Sequence, residues 1–271
     1  HGFFNSFQLE ACVQKSHQVR ELAAGLIISA ILTAIVMAIF PEVYENDDLF
    51  FIVFLSFVLV FFAWSLRGTS GLDKNFKELF VPNIQREILY VFAINIIFAF
   101  IFTCFIGWLD MLIGFTDPNW VSIFDIDSVD ISAGAFLLSA IGSIIFAPVL
   151  EELMFRGVLF NRLKVRTGII PAMLISSFLF AIGHDFGGMT SAFLFGMCMC
   201  ILYLKTDNIL VPMSVHFINN VVATIIELTP LDYYSVQMPW IILTTIIILI
   251  ATILLIKYIV QETGMLKNRF G

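Results

Sequence analysis

Residues 133–156 read AGAFLLSAIGSIIFAPVLEELMFR. The uncharged run 133–150 leads directly into two adjacent glutamates, Glu151 and Glu152, and then a base, Arg156. A helix needs about 20 apolar residues to cross the roughly 30 Å hydrocarbon core of a bilayer, so this run reads as a membrane span. The basic exit at Arg162, Lys164 and Arg166 lies beyond the glutamates, which places the carboxylates inside the span. A charge held there costs at least a few kcal/mol and is a functional candidate by default.

The rest of the chain agrees with a membrane setting. Of its 271 residues 60% are hydrophobic and only 13% charged, and the mean hydropathy is +0.98. Soluble domains are nearer 45–50% apolar and about 25% charged, so a soluble globule is excluded, and so much apolar side chain also excludes disorder. Further apolar runs lie near 22–40, 49–66, 88–109, 170–184, 190–204, 209–228 and 239–260. Together with the first they predict one all-α domain over 1–271, a polytopic bundle of eight transmembrane helices. Phe3, Phe4, Phe7 and Ala11 have helical spacing and suggest an interfacial helix over 2–20. Cys12, Cys104, Cys198 and Cys200 show no disulfide spacing, and no internal repeat of the kind that builds many transporters is visible.

The charges order the spans. The loop at 41–48 holds Glu42, Glu45, Asp47 and Asp48, and the one after Trp108 holds Asp110, Asp117, Asp125, Asp127 and Asp130, both without a base. The alternate connections carry Arg67, Lys74, Lys77 and Arg86, then Arg162, Lys164 and Arg166, then Lys205, and the chain closes on Lys257, Lys267 and Arg269. By the positive-inside rule both termini are cytoplasmic. Lys205 and Glu227 read as solvated span ends, and Trp108, Trp120, Trp240 and Tyr203 as an interfacial aromatic belt.

Inside the spans, ionisable and amide groups gather in three places: Glu151, Glu152 and Arg156; His184; and His216 with Asn219 and Asn220. Counting about 1.5 Å per residue from the basic face puts Glu151 roughly 16 Å deep, His184 roughly 21 Å, His216 roughly 12 Å and Asn220 roughly 18 Å. Three helices thus bring a carboxylate, two imidazoles and an amide to one layer. His216 and Asn220, at i,i+4, share a helix face, and Glu152 and Arg156 have the same spacing in the order that favours an ion pair. Glu151 points about 100° away from Glu152, so Arg156 is assigned to Glu152 and Glu151 is left for the cavity. Ala135, Ser139, Ser143 and Ala147 form a small-residue stripe for close helix packing.

A buried carboxylate beside an imidazole can deprotonate a water, and a facing imidazole and amide can donate to a developing oxyanion. These parts suit amide hydrolysis. The same groups, Glu151, His184 and His216, could instead ligate zinc, although no HExxH helix is present. A GxSxG elbow and a GxxxxGK[ST] phosphate loop are also missing from the chain. No cofactor is favoured, and no nucleic-acid partner is expected. A non-catalytic binding or immunity protein and an ion transporter are the other classes open to such a chain.

EELMFR (Glu151 to Arg156), FAIGH (Phe180 to His184) and HFINN (His216 to Asn220) resemble the EExxxR, FxxxH and HxxxN motifs of the CAAX-protease and bacteriocin-processing family of intramembrane endopeptidases. The resemblance covers about 130–228, and within the family the chain is most similar to the Ras-converting type of CAAX prenyl endopeptidase. It implies cleavage near the C-terminus of a prenylated protein with release of a tripeptide, while the cytoplasmic termini fit either a prokaryotic plasma membrane or an endoplasmic reticulum. It also implies that Glu151 and His184 activate water and that His216 and Asn220 stabilise the oxyanion. Glu152 and Arg156 would support the site, and Phe180 would line it. The partners implied are a prenylated C-terminus and membrane lipid.

Overall fold

A computed structural model of the chain describes residues 19–65, 71–117, 133–184, 188–229 and 240–270. Within them every regular element is helical. The helices are α1 (Val19–Ile39), α2 (Pro41–Glu45), α3 (Asp47–Ser65), α4 (Leu72–Glu78), α5 (Pro82–Thr116), α6 (Ala133–Ile141), α7 (Ala147–Glu152), α8 (Asn161–Thr167), α9 (Ile169–Ala181), α10 (Met189–Thr206), α11 (Leu210–Glu227) and α12 (Trp240–Phe270). Two π-helical stretches, Gly142–Phe146 and Leu153–Phe160, join α6, α7 and α8 into one continuous rod over 133–167. Most of the interfacial segment expected over 2–20 lies outside the described residues, as do Trp120, Asp125, Asp127 and Asp130 of the acidic third loop.

Five helices are long and apolar enough to cross a membrane, with windows at Leu22–Ile39, Pro82–Thr116, Phe136–Thr167, Met189–Thr206 and Ile242–Arg269. Three more apolar helices are shorter: Leu49–Ser65, Ile169–Ala181 and Leu210–Ile226. These eight coincide with the eight apolar runs, but α9, with 13 residues, rises only about 20 Å, less than a hydrocarbon core. Apolar residues stand exposed along the outer helices, among them Ile27, Ile31 and Ile35 of α1 and Ile242, Leu249 and Ile253 of α12. Such patches would be a liability in water and are the ordinary surface of a protein in lipid.

The bundle is built around α10. Over its apolar window 56% of the residues are buried, against 22–39% for the other four long spans. Residues Cys198 to Leu202 have no exposed surface at all. Around α10 pack α5, α9, α11, α12 and the π-helical stretch Leu153–Phe160, while α1 and α3 pair with each other and α3 lies against the upper part of the rod. Two tight reversals deliver the neighbours. Gly168 takes φ 86 between α8 and α9, a left-handed conformation that glycine adopts without a Cβ penalty. Asp207 takes φ 51 after α10, and Asn208 Oδ1 accepts the Leu210 amide at 3.0 Å to start α11.

Close approach of α9 and α10 depends on Gly196. A Cβ built there would lie 3.0 Å from Ser177 Cβ and 3.1 Å from Ser177 Cα, and Ser177 is fully buried. Small residues at such crossings let helices in lipid gain dispersion contact where no hydrophobic effect is available. Along the rod, Phe51 and Ile52 of α3 lie over Gly142, and α11 meets the rod at Ser143 of the small-residue stripe.

Two interfacial readings are corrected. Tyr203 is not a belt residue: it is 2% exposed and its hydroxyl accepts Asn161 Nδ2 at 2.8 Å. Lys205 is not a solvated end either. Its Nζ lies 2.6 Å from Glu87 Oε1 and 3.0 Å from Glu262 Oε2, and Tyr258 Oη donates to the same Glu87 oxygen at 2.8 Å. The cluster ties α5, α10 and α12 together. Hydropathy alone placed both residues near a span end, where packing then buried Tyr203 and ion-paired Lys205, which stays about a quarter exposed. Replacing Gly196 by valine is expected to force α9 and α10 apart and cost about 1–3 kcal/mol, read as a lowered thermal unfolding midpoint in detergent; an unchanged midpoint would show that this crossing is not close-packed.

Candidate active site

Two side chains, Arg156 and His216, converge on Glu152. Arg156 lies one turn further along the rod, and its Nη1 donates to Glu152 Oε1 at 3.1 Å, with neither side chain exposed. From α11, His216 Nδ1 lies 3.0 Å from the same oxygen. A carboxylate oxygen accepts, so Nδ1 carries the proton and Nε2 is turned to the other glutamate. That nitrogen is 3.8 Å from Glu151 Oε2, beyond direct hydrogen-bond range. The i,i+4 pairing of Glu152 with Arg156 is therefore present, and Glu151 is turned aside from it.

Arg156 does more than balance a charge. Its Nη2 donates to the Gly196 carbonyl of α10 at 3.2 Å, and its guanidinium carbon lies 4.7 Å from the centre of the Phe180 ring of α9. Phe180 is 2% exposed and touches most of the site. The His184 ring is 4.7 Å away, the Phe155 ring 5.4 Å, and the His216 ring 5.9 Å in an edge-on contact. Phe195 of α10 packs on His216 from another side at 5.1 Å.

His184 follows α9 in a turn that ends on the His184 amide bonded to Ala181. Its Nδ1 lies 3.0 Å from the Phe180 carbonyl. A carbonyl can only accept, so Nδ1 is the protonated nitrogen and a neutral ring keeps its lone pair on Nε2. His184 is exposed, and no hydrogen bond or ion pair joins it to Glu151 among the described residues, although both imidazoles lie within Coulombic reach of that carboxylate. Asn220 does not join the Glu152 cluster. Its Nδ2 donates to the Ser143 carbonyl at 2.7 Å. The amide and the imidazole that share a face of α11 thus spend these donors on different parts of the rod.

Among the described residues no three His, Cys, Asp or Glu side chains are grouped closely enough to hold a metal ion, so Glu151, His184 and His216 do not form a ready-made zinc set. Sequence reasoning missed Gly196 and Phe195. The signal was a lone glycine in FLFGMCMC, which reads as packing and gives no hint that its carbonyl receives an arginine from another helix.

Residues 133–222, the segment that carries all three motifs, match the family model described as type II CAAX prenyl endopeptidase Rce1-like. The chain is 36% identical over 101 residues to the "Putative membrane peptidase YdiL" of Bacillus subtilis (strain 168), across 37% of this chain and 41% of that protein. It is 34% identical over 100 residues to the "Membrane-embedded CAAX protease MroQ" of Staphylococcus aureus (strain USA300), across 34% of this chain and 38% of that protein. The chain thus spans about two-fifths of the length of these curated relatives. No solved structure matches. The resemblance read from EELMFR, FAIGH and HFINN is borne out over residues 133–222, the stretch of this chain that matches the Rce1-like type II CAAX prenyl endopeptidase family.

Proposed function

We propose that the chain is an intramembrane endopeptidase that hydrolyses a peptide bond near the C-terminus of a prenylated protein and releases the terminal tripeptide. One observation carries the reading: two adjacent glutamates at membrane depth are held in opposite states. Glu152 has no exposed surface and shares Arg156 and His216, whereas the Glu151 side chain is 29% exposed and stands apart from the guanidinium. A carboxylate kept from its nearest cation is suited to take a proton.

In the reaction we propose, Glu151 accepts a proton from a water as its oxygen attacks the scissile carbonyl carbon. His184, with its Nε2 lone pair free, orients that water and shares in the proton transfer. His216, hydrogen-bonded to Glu152 through Nδ1, stabilises the oxyanion through a protonated Nε2 as it forms. Glu151 then returns the proton to the leaving nitrogen as the C–N bond breaks. No covalent enzyme intermediate and no metal enters. A prenyl chain would remain in lipid beside the site, each buried CH₂ contributing about 0.8 kcal/mol. The accompanying topology is one domain of eight spans, its catalytic core near 130–228 and both termini cytoplasmic, in a prokaryotic plasma membrane or an endoplasmic reticulum. The segregated bases support that orientation.

The purified protein should cleave a farnesylated CAAX peptide faster than the same peptide without its prenyl group; equal rates would remove the prenyl requirement. Glu151→Gln and His184→Ala should each lower turnover by about 10²–10⁴-fold while the unfolding midpoint stays near wild type. Wild-type turnover in either variant would overturn the mechanism, and a cellular role that survives Glu151→Gln would favour a non-catalytic binding protein. Chelator treatment should leave turnover unchanged; loss restored by zinc would reverse the metal-free reading. Arg156→Ala should cost about 3–5 kcal/mol of stability, because it strands a buried carboxylate, and lysine should not rescue it, having no planar fork to serve Glu152 and Gly196 together.

A further inference from the structure

The hydrogen bond from Asn220 Nδ2 to the Ser143 carbonyl, 2.7 Å long, has a cause in the rod itself. In the π-helical turn Gly142–Phe146 the Ala147 amide reaches back five residues to the Gly142 carbonyl. Continuing that register would pair the Ser143 carbonyl with the amide of residue 148. Residue 148 is proline, which has no N–H to give and whose ring crowds the carbonyl four residues before it. The turn is wide where Pro148 makes it wide, and Ser143 is the acceptor left without its donor. Lipid cannot replace that donor, so the carbonyl needs one from water or from a neighbouring helix. Asn220 supplies it, and α11 packs on both the π-helical turn and α7.

Glu151 stands three residues after Pro148, in the segment α7 that leaves this turn. We propose that Asn220 is a positioning residue: by capping the Ser143 carbonyl that Pro148 leaves bare, it holds the widened turn and so sets where Glu151 stands relative to His216. This rests on the reading of Glu151 as the base, and it differs from the role the family resemblance implies, in which the Asn220 amide donates to the reacting oxygen. The two roles separate through Pro148. An alanine there returns a backbone N–H close to the Ser143 carbonyl, which can replace the cap and cannot replace a donor to the substrate.

The test is a cycle of wild type, Asn220→Ala, Pro148→Ala and the double variant, each purified in detergent, with the unfolding midpoint and the kcat and KM for a farnesylated peptide measured separately. Asn220→Ala should lower the midpoint by about 2–4 °C and kcat by about 100-fold with little change in KM, the effect expected of a misplaced catalytic group. The double variant should recover most of both losses. Recovery of the midpoint with kcat still at the Asn220→Ala level would overturn the positioning role and put Asn220 on the reacting oxygen. No recovery of the midpoint would overturn the cap itself. A further measurement is independent of turnover and of whether Pro148→Ala folds. With serine carrying ¹³C at its carbonyl, the Asn220→Ala minus wild-type infrared difference should show a carbonyl band moving to higher frequency, and an unshifted spectrum would overturn the cap. If wild type cleaves no peptide at all, the peptidase reading fails while the midpoint and infrared results still decide whether Asn220 caps Ser143.

Discussion

A guanidinium with no exposed surface must find its counter-charge and acceptors within the protein, and Arg156 draws partners from three parts of the chain through Nη1, Nη2 and its flat face, while its Nε is left without an acceptor. Its charge meets Glu152 on its own helix, one N–H goes to the Gly196 carbonyl on α10, and its face lies over Phe180 on α9. Removing any of these leaves a buried cation short of a partner, a penalty larger than the net worth of the contact itself. The arrangement therefore specifies how the rod, α9 and α10 meet. His216 then joins through Glu152, so the helix that carries it is registered against the same carboxylate.

This ionic centre accounts for the asymmetry of the glutamate pair. Adjacent residues on a helix diverge by about 100°, and only one of two neighbouring carboxylates can face a cation one turn away. Glu152 takes that position and is consumed by structure. Glu151 is left half-buried, near His216 and in the field of both imidazoles. The different surroundings of the two carboxylates are thus a consequence of helix geometry. Phe180 has a matching part: its ring touches both Arg156 and His184, which keeps the second imidazole close to the centre.

Backbone irregularity near this centre is also organised. Proline within a membrane helix leaves a carbonyl unpaired, and lipid cannot satisfy it. In this chain the unpaired carbonyl belongs to Ser143 and is met by Asn220, from the same face of α11 that sends His216 to Glu152. One helix thereby engages the rod on both sides of Pro148, once through a polar backbone group and once through a charge.

Much of this was legible in the residues. Runs of apolar residues at span length dictated helices, because a backbone in lipid must satisfy its own hydrogen bonds. The i,i+4 spacing of Glu152 and Arg156 dictated their pairing, and the rarity of polar groups inside the runs singled out Glu151, His184, His216 and Asn220 as candidates. Local periodicity carries such information because it depends only on helix rise and rotation. What it does not carry is which helix lies beside which. That Gly196 would receive Arg156, that Asn220 would spend an amide N–H on Ser143, and that Lys205 would be ion-paired and Tyr203 buried at their span ends were decided only by packing, since each depends on contacts between residues 40 or more positions apart in the chain.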